Sequence, residues 1–285
     1  MKYKKTLSTL VFCIIILSIF AAALGIFSEQ GPGSYEYESI RGETIKIYGK
    51  GLYQDMSAEL AVQGIGQDYV TLFVGIPILL IAFFLARRGS LQGRYLLAGV
   101  LGYFFITYLF YLVMAMYNQL FLVYVFLMGT SFFALALTLF SFELSDLSAR
   151  FNENTPLKFT GGFLLFTAFS IAFLWLGVVV PPLINGSIYP VEVEHYTTLI
   201  VQGMDLGLLL PLAVVSAVLL IRKRAMGYLL GPVYLIFLSM LMAALTAKVI
   251  AMGVNGYSII PVIFIMPTFM ILAVISSAIL LKNIK

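Results

Sequence analysis

Eight runs of about 20 mostly apolar residues constrain this chain more than any other feature. A bilayer core about 30 Å thick is crossed by roughly 20 helical residues rising about 1.5 Å each. The runs are Thr6 to Phe27, Tyr69 to Leu85, Tyr95 to Met116, Leu120 to Phe140, Phe159 to Val180, Leu199 to Ile221, Met226 to Met252 and Ile259 to Leu281. The second is short. A closed barrel also satisfies its backbone inside lipid, but its strands alternate apolar and polar residues over about ten positions. These runs are apolar on all sides, so the fold expected is an all-α integral membrane protein, a bundle of eight transmembrane helices. Composition agrees, since 61% of the 285 residues are hydrophobic and 11% charged, against about half and a quarter in soluble domains.

Basic residues set the orientation. One set of loops holds Lys2, Lys4, Lys5, Arg87, Arg88, Arg94, Arg150, Lys158, Arg222, Lys223, Arg224, Lys282 and Lys285, 13 of the 17 Lys and Arg, against Glu143, Asp146 and Glu153. The opposite loops hold Arg41, Lys46 and Lys50 against Glu29, Glu36, Glu38, Glu43, Asp55, Glu59, Asp68, Glu192 and Glu194. The first set is therefore expected in the cytoplasm, with both termini, and the protein in the cell membrane as a multi-pass chain. The net charge of +4 reports this topology. It does not point to nucleic acid, and the lipid bilayer is the partner it implies.

The first run has two readings. KYKK, the apolar stretch Leu10 to Phe20 and AAALG resemble the three regions of a signal peptide. The run continues through Phe27, beyond the usual h-region of about 7 to 15 residues, which favours an uncleaved anchor over a chain left with seven spans.

The order of features repeats. Asp68, Pro77, Arg87-Arg88 and Gly93-Arg94-Tyr95-Leu96-Leu97-Ala98-Gly99 are followed later by Asp205, Pro211, Arg222-Lys223-Arg224 and Gly227-Tyr228-Leu229-Leu230-Gly231. Each series sits second in a block of four spans. Two parallel four-helix repeats, residues 1 to about 150 and about 151 to 285, are therefore expected within a single membrane domain. The alternative is that apolar helices with basic ends simply look alike.

The segments GQDYVTLFVGIPILLIAFFLARRGSLQGRYLLAGVLGYFF, YNQLFLVYVFL and MDLGLLLPLAVVSAVLLIRKRAMGYLL resemble a family of polytopic integral membrane proteins of bacteria and archaea. The resemblance covers about half of the chain. It implies the architecture and supplies no activity, catalytic residue or binding residue.

Residues 28 to 67 form the longest segment outside the spans. Gly31-Pro32-Gly33-Ser34 breaks the chain, Thr44 to Tyr48 alternates as a short strand would, and Met56, Leu60 and Ile65 share a helical face. A small extracytoplasmic lid and a solvated linker are both compatible with this pattern.

Two charges remain, and both fall inside spans: Asp205 and Lys248. Asp205 lies about six residues, roughly 9 Å, below the end of its helix. A charge at a helix centre costs on the order of 2.5 to 3.5 kcal/mol on insertion scales, and such residues usually face the bundle interior. Lys248 lies at matching depth on the next helix, so an ion pair is geometrically natural, with Gln202 on the same face as Asp205. Asn118 lies at similar depth. With Asp68, these residues make the candidate ligand or ion site. The structural alternatives are a pair that fixes helix register and a lysine that snorkels to the surface. For Asp68, at the mouth of a span with Thr71 three residues on, the alternative is a helix cap.

Tyr103, Phe104, Tyr108, Tyr111 and Tyr124 read as packing whose hydroxyls build a polar seam, Trp175 as an interface anchor, and Pro77, Pro211, Pro232 and Pro261 as kinks. One histidine, one cysteine (Cys13) and no HExxH, CxxC or Walker sequence leave no catalytic residue, metal site or cofactor to expect. The function expected is a small-solute or ion transporter or binding protein with an outward-facing polar pocket, its occupant a small solute or cation. The alternative is a non-catalytic scaffold or accessory subunit with a membrane-protein partner.

Overall fold

A computed structural model describes residues 3–285; Lys2, counted above with the basic loops, lies outside them. Among the described residues, eight helices are long and apolar enough to cross a membrane: α1 Lys4–Phe27, α2 Ala58–Arg87, α3 Leu91–Val113, α4 Phe121–Leu139, α5 Leu157–Asn185, α6 Ile200–Ile221, α7 Ala225–Val254 and α8 Val262–Lys282. The chain is a multi-pass membrane protein of the helical-bundle class. α7 is the central helix, packed against α2, α3, α6 and α8, while α1 packs on α2 and α4, and α5 on α6 and α8.

The second helix departs most from the sequence reading. It starts at Ala58 and not at Tyr69, because the polar-looking stretch from Ala58 to Asp68 buries Ala58, Ala61, Val62 and Gly66 in the bundle. Gly66 makes this possible: a Cβ there would meet the Ala247 carbonyl at 3.0 Å and Lys248 Cα at 3.1 Å. α2 thus runs against α7 at the level of Lys248.

Both α2 and α6 contain one π-helical turn, Thr71–Gly75 and Asp205–Leu209. Each ends one residue short of an Xaa-Pro pair, Ile76-Pro77 or Leu210-Pro211. Proline has no N–H, and its ring clashes with the carbonyl four residues back; widening that turn by one residue relieves both problems. The correspondence continues beyond the prolines. Gly89 and Lys223 follow the helix ends with φ of 92° and 55°. Gly93 and Gly227 then press on the preceding helix, where a Cβ would meet Leu85 at 2.5 Å or Leu219 at 2.2 Å. Every one of these pairs is separated by the same 134 residues (77 to 211, 93 to 227).

At the end of the bundle opposite Arg87, Arg88, Arg222 and Arg224, residues 28–57 fold into a cap. Strands β1 Tyr35–Glu38 and β2 Thr44–Ile47 form an antiparallel hairpin, and Ile47 also pairs with Ser57. Leu52, Tyr53 and Met56 are buried beneath it. The cap is tied to the loop between α5 and α6: the Arg41 guanidinium donates to the carbonyls of Glu194 and Tyr196, each at 2.9 Å.

Candidate functional site

Asp68 lies in the interior of α2, 2% exposed. It is therefore no helix cap, and it does not belong to the loops in which the charge count placed it. Thr71, its expected capping neighbour, instead donates to the Gln67 carbonyl at 3.0 Å. Each Asp68 oxygen accepts from one tyrosine. Tyr53 of the cap donates to Oδ2 at 2.5 Å, and Tyr111 of α3 donates to Oδ1 at 2.9 Å while also reaching the Gly64 carbonyl at 3.2 Å. α1 closes the third side through Gly25, where a Cβ would fall 1.8 Å from Asp68 Oδ2 and 2.9 Å from the Tyr53 hydroxyl. Burial, then the Asp68 charge, push the Tyr53 phenol well above its ordinary value of 10.0, so it remains a donor at neutral pH.

A neutral network continues below the carboxylate. Gln67 Nε2 donates to the Tyr103 hydroxyl at 2.9 Å and to Thr107 Oγ1 at 3.1 Å, and Thr71 Oγ1 lies 2.9 Å from the same Tyr103 hydroxyl. This is the polar seam that stacked tyrosines on one face of α3 demand. Tyr124 packs edge-on to Tyr111, with ring centroids 5.4 Å apart. Its hydroxyl is buried without a hydrogen-bond partner among the described residues, as is Ser18 Oγ of α1.

Asp205 occupies the first position of the α6 π turn and takes its hydrogen bond from Trp175 Nε1 of α5 at 2.7 Å. Trp175, read from sequence as an interface anchor, therefore holds a half-buried carboxylate between α5 and α6. No sequence signal links the two residues, which lie 30 positions apart on different helices. Lys248 makes no ion pair with Asp205 or with Asp68 among the described residues. Both carboxylates lie close enough to act on its charge. The lysine sits between two acids without touching either.

The side chains of the other expected residues make no hydrogen bond to Asp68, Asp205 or Lys248 among the described residues. Asn118 Oδ1 accepts from the Leu120 amide at 2.9 Å and closes the turn before α4. Gln202 is half-buried, and its side chain makes no hydrogen bond among the described residues. A cavity of about 530 Å³ opens beside the cap, lined by Leu24, Ser28, Gln30, Gln54 and Gln119 among others; none of Asp68, Asp205, Lys248, Gln202 and Asn118 lines it.

Compared with known proteins, the chain matches no family model, no curated protein and no solved structure.

Proposed function

We propose that this membrane protein binds and moves a proton or a small cation at the cluster of Asp68, Lys248 and Asp205. One observation carries the reading: three ionisable side chains converge inside apolar helices with no ion pair to cancel them. Each is costly in lipid, and intramembrane charges of this kind mark ion and proton pathways. Two carboxylates and one ammonium leave one negative charge, which a proton or a monovalent cation neutralises. Lysine and arginine counts favour a cytoplasmic basic end with both termini, a cap on the opposite side, and the cell membrane as the location. The constant spacing of 134 residues supports two parallel repeats, α1 to α4 and α5 to α8. The packing pairs support them too, since α1 on α4, α2 on α3 and α3 on α4 are matched by α5 on α8, α6 on α7 and α7 on α8. The cluster then lies where the two repeats meet, as sites do in repeat-built transporters.

The test is proton uptake into liposomes holding the purified protein and a trapped pH dye, driven by a potassium diffusion potential. Uptake lost in both Asp68→Asn and Asp205→Asn supports the proposal. Uptake absent from wild type, repeated with sodium and potassium gradients, or unchanged in both variants, sinks it.

A second reading, the scaffold or accessory subunit, draws on the enclosure of Asp68, whose two oxygens are both already bonded, and on the exposed apolar side chains of the cap and of the loop between α5 and α6, Ile40, Ile188 and Val191. In that reading the cluster fixes helix register and the cap meets a protein partner.

A further inference from the structure

The cavity of about 530 Å³ beside the cap shares no residue with the intramembrane cluster. Its volume is that of a small-molecule site, about 300–1,000 Å³. Three primary amides meet there: Gln30 and Gln54 of the cap, and Gln119 of the loop between α3 and α4. Gln54 is half-buried and the other two are exposed. None of the three side chains has a hydrogen-bond partner among the described residues, so each has two N–H donors and a carbonyl acceptor to offer.

The remaining walls set the character of the space. Ala23, Leu24 and Phe27, from the end of α1, make one wall apolar, and no charged side chain lines the cavity among the described residues. Ser28 and Gly51 complete it, and both are fixed by the fold. Ser28 Oγ donates to the Leu24 carbonyl at 2.6 Å and accepts from the Leu52 amide at 2.8 Å. The Gly51 amide donates to the Gln30 carbonyl at 2.6 Å. Gly51 has φ 57°, and a Cβ there would fall 2.1 Å from the Ser28 carbonyl, so only glycine lets the cap turn approach the end of α1 this closely. The amides therefore stand on a frame that is already held without a ligand.

We propose that this cavity binds an uncharged polyhydroxyl group, a glycosyl head, with its hydroxyls on Gln30, Gln54 and Gln119. A hydroxyl both donates and accepts, as a primary amide does, so each partner can meet the other in full. An ionised head would enter a space with no charge to balance it and would lose hydration without compensation. The apolar wall lies on the last turns of a membrane-spanning helix, where the acyl part of a lipid in the cap-side leaflet runs alongside. A glycolipid head and a free sugar share the polar chemistry, and only the lipid also uses that wall. The site stands whether or not the intramembrane cluster carries flux.

The test is the unfolding midpoint of the purified full-length protein in a detergent without a sugar head, dodecyldimethylamine oxide. It is titrated with monoglucosyl diacylglycerol, phosphatidylcholine or phosphatidylglycerol of the same chains, or free glucose. The glucosyl lipid is expected to give a saturable rise beyond that of either phospholipid. Gln54→Leu and Gln119→Leu each weaken that effect about fivefold, as loss of one hydrogen bond does, while Gln63→Leu, outside the cavity, leaves it intact. Should Gln54→Leu fail to fold, the double variant Gln30→Ala/Gln119→Ala carries the test, with about a tenfold weakening expected. A rise with the lipid alone assigns the site to a lipid head, and a rise with free glucose as well assigns it to a soluble sugar; both support the proposal. An equal or larger rise with either phospholipid, no rise with glucosyl lipid or glucose, or a rise that survives every cavity variant overturns it.

Discussion

The Tyr53 hydroxyl donates to Asp68 at 2.5 Å, so a residue of the cap closes directly onto a carboxylate inside the bundle. Cap and membrane domain are thereby joined by a buried hydrogen bond. Tyr53→Phe leaves Asp68 Oδ2 without its donor, and such an unmet buried acceptor costs about 1–3 kcal/mol. We expect the unfolding midpoint in detergent to fall accordingly. Tyr111→Phe should lower it too, leaving Oδ1 unmet.

Gly25 is the second contact that sets this geometry. Gly25→Ala would place a methyl 1.8 Å from Asp68 Oδ2, so α1 must shift away or the carboxylate must leave its tyrosines. A loss of about 1–3 kcal/mol or more is expected from overpacking. Gly102→Ala on α3, where the nearest atom is 3.7 Å away, should be close to neutral. Equal midpoints for the two variants would contradict the packing described.

Trp175 is the only tryptophan, so its emission reports on Asp205 alone. Asp205→Asn changes the partner of the indole N–H and should shift the emission maximum, whereas Asp68→Asn should leave it in place. Steady-state fluorescence of the two purified variants decides this.

Alkaline pH tests the buried phenol. An unfolded tyrosine ionises near pH 10, while Tyr53 in the fold does so well above it. A raised folded value means that its contribution is complete below about pH 10 and is lost as pH climbs from there toward the folded value. Wild-type stability should therefore fall above pH 10 more steeply than that of Tyr53→Phe, by at most about 1.4 kcal/mol per pH unit for the single proton. Unfolding curves from pH 9 to 11 measure the difference.

How much of this could be read from sequence follows from the range of each interaction. The eight spans were legible because a membrane helix advertises itself locally, through a long apolar run. The start of α2 was not: Met56, Leu60 and Ile65 mark a helical face, but nothing local joins that stretch to the span, and it continues the span because its small face packs on α7 at Gly66. That misplaced start is also why Asp68 looked like a cap. A tyrosine seam on α3 was legible because buried hydroxyls must be satisfied, although helical spacing grouped Phe104, Tyr108 and Tyr111 while the bonded hydroxyls are those of Tyr103 and Tyr111. Pairings between distant helices, Trp175 with Asp205 and Tyr53 with Asp68, have no local signature. The depth match of Asp205 and Lys248 brought them to the same level, yet depth carries no information on which acid the lysine faces.

The most direct test of the intramembrane cluster as one unit is a set of unfolding midpoints for Lys248→Met alone and combined with Asp68→Asn or Asp205→Asn. Removing the lysine leaves two buried acids uncompensated, so the single variant should be destabilised, as when one member of a buried charge set is lost. The account predicts that both second changes recover stability, and that Asp68→Asn recovers more. A Lys248→Met protein as stable as wild type, or one rescued by Asp205→Asn alone, would contradict it.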